Sequence, residues 1–210
     1  MENNASDSVA VCSLIKSYFY DPSPDELAEN CVIKAKPGDR YYGMSKDTIL
    51  KIWNERKEEG IKTHKSIEND YKSSAVYEYI KYYLDNGYEK FDEMNLSMKT
   101  KKFIIKGRAD CVLINHNLKN IVIWEWKNCR YYYLKSDNKG FGPCEKLCNT
   151  KFTKHILQCE FYKVLLKDKY PDYKIITEVK YIYNNKLEKS VSPNNLFEIA
   201  VIDIINDLNK

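Results

Sequence analysis

Apolar positions in the first third of the chain recur at helical spacing. SPDELAEN (23–30) opens with turn and cap signals. In SKDTILKIWNERKEEG (45–60), Ile49, Ile52 and Trp53 share one face, Ser45 or Asp47 can cap the start, and Gly60 is placed to stop the run. IKTHKSIENDYKSSAVYEYIKYYLDNG (61–87) continues as a second helix, bent near Ser73–Ser74 and ended by Gly87. The period then changes. EMNLSMKT (93–100) reads as a weak strand and KFIIKGRADCVLIN (102–115) as a long one. NIVIWEWKNC (120–129) is apolar on both faces, as in a strand covered on both sides. Beyond a loop containing Gly, Pro and Cys, TKFTKHILQCEFYKVLLKDKY (150–170) is an amphipathic helix. YKIITEVKYIYNN (173–185) is a strand, and PNNLFEIAVIDIINDL (193–208) is a closing helix with Pro193 near its start. Helices, three strands, helix, strand, helix predicts an α/β sandwich around a small mixed sheet.

One polar position breaks the most apolar strand. In IVIWEWK (121–127), Glu125 sits among hydrophobic residues and Lys127 follows on the same face. If Asn115–Asn120 is a hairpin connection and Ile114 faces Ile121, then Asp110 lies directly opposite Glu125. Opposed strand residues have Cβ atoms about 4.5–5.5 Å apart, and like charges there are destabilising. Ion pairs with Arg108 and Lys127 would be one resolution. A divalent cation between the carboxylates is another, and oxygen ligands suit Mg²⁺ or Mn²⁺.

Composition narrows the classes without choosing one. The 210 residues fit one domain, 43% are hydrophobic, and the net charge of +4 permits a polyanionic partner without requiring it. The seven cysteines follow no regular framework, and no basic region followed by an apolar run opens the chain. No segment reaches the roughly 20 apolar residues of a membrane span. The expectation is an intracellular protein, cytoplasmic or nuclear and compatible with viral coding, not a secreted one.

GRAD (107–110) and EWK (125–127) on consecutive strands resemble the PD-(D/E)XK nuclease superfamily. GIKTHKSIE (60–68), with His64 and Glu68 on one helical face, and QCEFY (158–162) resemble the RecB-like branch, which includes Cas4-type exonucleases. The resemblance spans about half the chain. It implies a restriction-endonuclease-like αβββαβ core over residues 46–210, with residues 1–45 as a helical extension or lid.

It also implies a Mg²⁺- or Mn²⁺-dependent hydrolase of DNA phosphodiester bonds, most simply an exonuclease on single strands or ends. Asp110, Glu125 and Lys127 would be catalytic, and His64, Asp110, Glu125 and the Trp126 carbonyl would bind one or two ions. Gln158 and Tyr162 would contact substrate or support the site. Glu68 and Glu93 are further candidates for orienting His64 or binding a second ion, Arg108 for tracking phosphate, and His155 for a phosphate contact. The branch's iron–sulfur cluster is not expected, because no cysteine follows Cys159. Cys129, Cys144 and Cys148 are the remaining candidates for a zinc site. Lys99, Lys101, Lys102, Lys106 and Arg130 could follow a backbone, and Tyr131–Tyr133 could stack on bases. An RNA endonuclease of the histidine-containing type and a non-catalytic nucleic-acid-binding module stay open as alternatives. So do replication, recombination, repair and host-DNA degradation as settings.

Overall fold

Six strands form one mixed sheet in the computed structural model, which describes residues 7–129 and 136–210 apart from the side chain of Glu68. In chain order the strands are β1 (Ser8–Ala10), β2 (Glu89–Lys99), β3 (Ile104–Asn115), β4 (Asn120–Asn128), β5 (Lys174–Tyr183) and β6 (Lys186–Val191). The helices are α1 (Val11–Lys16), α2 (Pro24–Lys34), α3 (Lys46–Asn69), α4 (Tyr77–Asp85), α5 (Lys151–Lys169) and α6 (Asn195–Leu208). The three antiparallel strands β2–β4 are followed by α5 and the parallel strand β5. This is the αβββαβ arrangement expected of a restriction-endonuclease-like core.

Alternation along the central strands builds two cores. Val112, Ile114, Ile121 and Ile123 face Leu14 and Ile15 of α1, Leu157 and Phe161 of α5, and Val201 and Ile204 of α6. Leu113, Val122, Trp124 and Trp126 face Val76, Ile80 of α4 and Ile67 of α3. Both faces of β4 are therefore buried, which is why its sequence is almost continuously apolar.

The feature that positions the site is a fork. β2 pairs with β3 along one edge from Ile104 to Ile114. The other edge of β3 is shared: β4 takes Cys111 to Asn115, and β1 takes Ile104 to Lys106 in parallel. Between them, Gly107–Asp110 has no strand partner on that edge. The end of β4 from Glu125 onward stays paired to β5 alone. Backbone groups at the fork must find other partners.

Two expectations need correction. Gly60 does not end a helix: α3 runs through it from the Ser45 cap to Asn69, and the break comes at a 3-10 turn, Tyr71–Ser73. An interior glycine costs only about 0.5–1 kcal/mol relative to alanine, less than the burial of Ile49 and Ile67 near the two ends supplies. The sheet is also larger than read from sequence, because β1 and β6 join its edges. Of residues 1–45, residues 8–19 enter the central core through β1, α1 and Phe19, while α2 lies against α3. No helix among the described residues is long and apolar enough to cross a membrane.

Candidate metal centre

At the fork, two carboxylates replace the missing ladder. The Asp110 N–H donates to Glu125 Oε1 at 3.2 Å, and the Trp126 N–H donates to Asp110 Oδ2 at 2.7 Å. Each acid thus satisfies the other strand's backbone. The register behind this is the one counted from the hairpin, with Ile114 facing Ile121 and Cys111 facing Trp124.

Glu125 is fully buried. Its Oε2 accepts from Lys127 Nζ at 3.0 Å, and the same ammonium reaches Gln158 Oε1 at 3.4 Å. Gln158 Nε2 in turn donates to the Tyr162 hydroxyl at 2.8 Å. Residues from the strand motif and the helix motif therefore form one line, Glu125–Lys127–Gln158–Tyr162. The Tyr162 ring needs Gly107: a Cβ there would overlap the ring and press on Val11.

Asp110 Oδ1 lies 3.6 Å from His64 Nδ1 on α3. On the opposite side from Glu125 stands another acid. Asp92 pairs with Cys111 and Met94 with Ala109, so Glu93 falls across from Asp110. Glu93 takes a left-handed backbone, φ 49°, rare for a non-glycine residue within a strand. His64, Glu93 and Asp110 each offer a donor atom within 4.8 Å of the other two. Opposite ligands of one Mg²⁺ are about 4.2 Å apart, twice the 2.0–2.1 Å bond. At most one of the three pairs can be opposite, so the donors would have to draw together to hold one ion; one imidazole with two carboxylates suits Mg²⁺, Mn²⁺ or a related dication. Glu125 is not one of the three, being turned toward Lys127 and the Asp110 amide. Among the described residues this is the one such group, and no cysteine joins it.

Electrostatics mark the same place. Burial, reinforced by Glu93, lifts the Asp110 carboxyl from 3.8 to about 6 even though Lys127 and the Trp126 amide oppose it. Burial and Asp110 lift Glu125 from 4.5 to about 7. Burial works against the Lys127 ammonium, but Glu125 and then Asp110 outweigh it and hold its pKa above the ordinary lysine value. Lys127 is therefore a fixed cation at neutral pH.

The raised acids make a stability prediction. Between about pH 4 and about pH 7 the folded protein binds more protons than the unfolded chain, so metal-free stability falls as pH rises through that window. Asp110→Asn keeps an acceptor for the Trp126 amide and removes one charge. In chelator at pH 7.5 it is expected to raise the melting temperature by roughly 2–4 °C per kcal/mol recovered. The gain should vanish near pH 4, where Asp110 and Glu125 are protonated in the folded state. Thermal melts of both proteins across pH check this, and an Asp110→Asn protein that melts lower at pH 7.5 would contradict it.

The donors open into a cleft of about 900 Å³, which Lys127, Gln158, Tyr162, Arg108 and His155 also line. Among the described residues, six cations (Lys57, Lys65, Lys106, Arg108, Lys127, Lys151) line it against two acids, Glu93 and Asp110. Lys57, Lys65 and Lys151 come from helices and were not singled out in the sequence. Lys101 and Lys102 instead lie at the β2–β3 turn beside Asn209 and Asp207 of the C-terminal end. His155 also lines the cleft. Burial, with Lys127 and Lys151 nearby, presses its pKa down to about 3, and it contacts the Tyr181 hydroxyl at 3.3 Å. Arg130, Tyr131–Tyr133 and the Glu68 side chain lie outside the described residues.

No family model and no curated protein matches the chain. Several solved structures resemble it at low similarity. Among them, the crystal structure of SSO0001 has a TM-score of 0.45 and 14% identity, covering 100% of this chain and 80% of that one. A protein of Eubacterium rectale, provisionally described as an exonuclease, has a TM-score of 0.42 and 11% identity, covering 96% of this chain and 78% of that one.

Proposed function

We propose that this chain is a divalent-metal-dependent nuclease of the RecB-like PD-(D/E)XK type that hydrolyses DNA phosphodiester bonds, acting on single strands or ends. The observation that carries the reading is the meeting of the His64–Glu93–Asp110 donor set with the fixed cation Lys127 in one cation-lined cleft. A dication held by those donors would polarise a phosphoryl oxygen and acidify a water molecule.

The remaining roles fall to the chain's own groups. Lys127, permanently charged, is suited to stabilising negative charge on the phosphate rather than to taking a proton. Glu125 and Gln158 hold its ammonium from two sides, and Tyr162 holds Gln158. Glu125 Oε1 accepts the Asp110 amide and keeps a second lone pair with which it could bind the ion. The Trp126 carbonyl leaves β4 on the same side as its N–H, which faces Asp110, so it too is turned toward the fork. The cleft shares Lys151, His155 and Gln158 with an adjoining hollow of about 400 Å³, which Lys16, Lys154 and Asp21, the ion-pair partner of both, also line. A run of cations along a groove suits a polyanionic strand.

The test is incubation with end-labelled single-stranded DNA, duplex DNA and RNA, each with Mg²⁺, Mn²⁺ or chelator. Metal-dependent cleavage of DNA is expected, with a product ladder that distinguishes terminal from internal cutting. Cleavage of RNA alone would select the endoribonuclease alternative. Binding without cleavage under every metal would select the non-catalytic module.

A further inference from the structure

Arg108 and Asp110 are two apart on β3 and share a face. Arg108 Nε lies 2.6 Å from Glu93 Oε2, and its side chain is 66% exposed at the wall of the cleft. Glu93 is the residue whose left-handed backbone places it beside Asp110 and His64. Two cations therefore have a claim on one carboxylate: the guanidinium that holds it in this structure, and a dication that its donor set fits.

We propose that Arg108 and a dication compete for Glu93, and that Arg108 passes to a substrate phosphate when an ion takes Glu93. Its planar guanidinium can donate two parallel hydrogen bonds to a phosphate. The exchange couples the two ligands. An ion frees Arg108 for phosphate, and a phosphate holding Arg108 leaves Glu93 to the ion, so each tightens the other by the same factor. The phosphate half rests on the nuclease reading; the competition for Glu93 does not.

Arg108→Ala, with Arg108→Gln as a second variant that keeps side-chain bulk, gives effects of opposite sign. An exposed ion pair is worth about 0–1 kcal/mol, so losing the competitor should tighten Mn²⁺ binding by roughly two- to fivefold, read by calorimetry without nucleic acid. Affinity for a fluorescent single-stranded oligonucleotide, read by anisotropy in Ca²⁺, should weaken by about fivefold or more, since a charge-assisted contact is lost. The mutual tightening of ion and oligonucleotide measured for the unaltered protein should shrink. Weaker Mn²⁺ binding in both variants would mean that Arg108 merely supports Glu93, and would overturn the proposal. So would unchanged oligonucleotide affinity. An unaltered protein that binds no oligonucleotide would overturn the nuclease reading and the phosphate half together, while the Mn²⁺ result would still decide the competition.

Discussion

Lys127→Ala is expected to lower the rate of metal-dependent cleavage by about 10²-fold or more while leaving Mn²⁺ binding in place. A 10²-fold loss corresponds to about 2.7 kcal/mol of transition-state stabilisation, the size measured for removing one preorganised donor from a developing oxyanion. The ammonium is already placed: Glu125 at 3.0 Å and Gln158 at 3.4 Å fix it beside the donor set, and the acids keep it charged. It is not one of the three residues that offer a ligand atom, so the ion should still bind. The variant should fold, because Glu125, already lifted to about 7 with Lys127 present, can take up a proton when the lysine is gone. Single-turnover cleavage rates beside a Mn²⁺ titration separate the two effects. A rate within a few-fold of the unaltered protein would remove Lys127 from the chemistry.

Glu125→Ala is expected to act mainly on stability, lowering it by roughly 3 kcal/mol. Removing one partner of a buried ion pair typically costs about 3–5 kcal/mol, since the other charge is left without compensation. The lower end applies here because the Lys127 side chain is 16% exposed and Asp110 remains nearby. The substitution also empties fully buried space and leaves the Asp110 amide without its acceptor. Replacing both residues, Glu125→Leu with Lys127→Met, should recover most of the loss and leave a stable, inactive protein. Urea unfolding of the single and double variants measures this. A Glu125→Ala protein less than about 1 kcal/mol weaker would show that Glu125 does not hold the lysine.

The sequence and the structure agree where local pattern decides the outcome. β3 and β4 alternate cleanly enough that pairing Ile114 with Ile121 carries the register through Cys111 and Trp124. The helix around Gln158 and Tyr162 forms where the sequence predicts it, but it is not the one-sided amphipathic helix expected: buried residues run round most of it, Glu160 and Thr153 among them. What escaped was set by distant parts of the chain. β1 is three residues long and exists only because it docks beside Ile104–Lys106, so nothing in SVA announces a strand or the fork it creates. β6 is polar, and its hairpin is marked only by Asn184–Asn185, which take the left-handed backbone of a tight two-residue turn.

The position of Glu93 was legible but uncounted. Once Lys99 faces Ile104, the β2–β3 hairpin places Glu93 across from Asp110, as the β3–β4 hairpin places Glu125 on its other side. A single acid flanked by acids on both neighbouring strands is a stronger electrostatic signal than the pair read from sequence. The cations Lys57, Lys65 and Lys151 lie on helices whose approach to the sheet depends on tertiary packing. No local pattern could set them apart from the chain's other lysines.

Crystals grown with Mn²⁺ and measured at the manganese absorption edge give the most direct answer. An anomalous peak bonded to His64, Glu93 and Asp110, with Lys127 still on Glu125, is the expected result. A saturating Mn²⁺ concentration that leaves no peak there, or a peak elsewhere in the molecule, would contradict it.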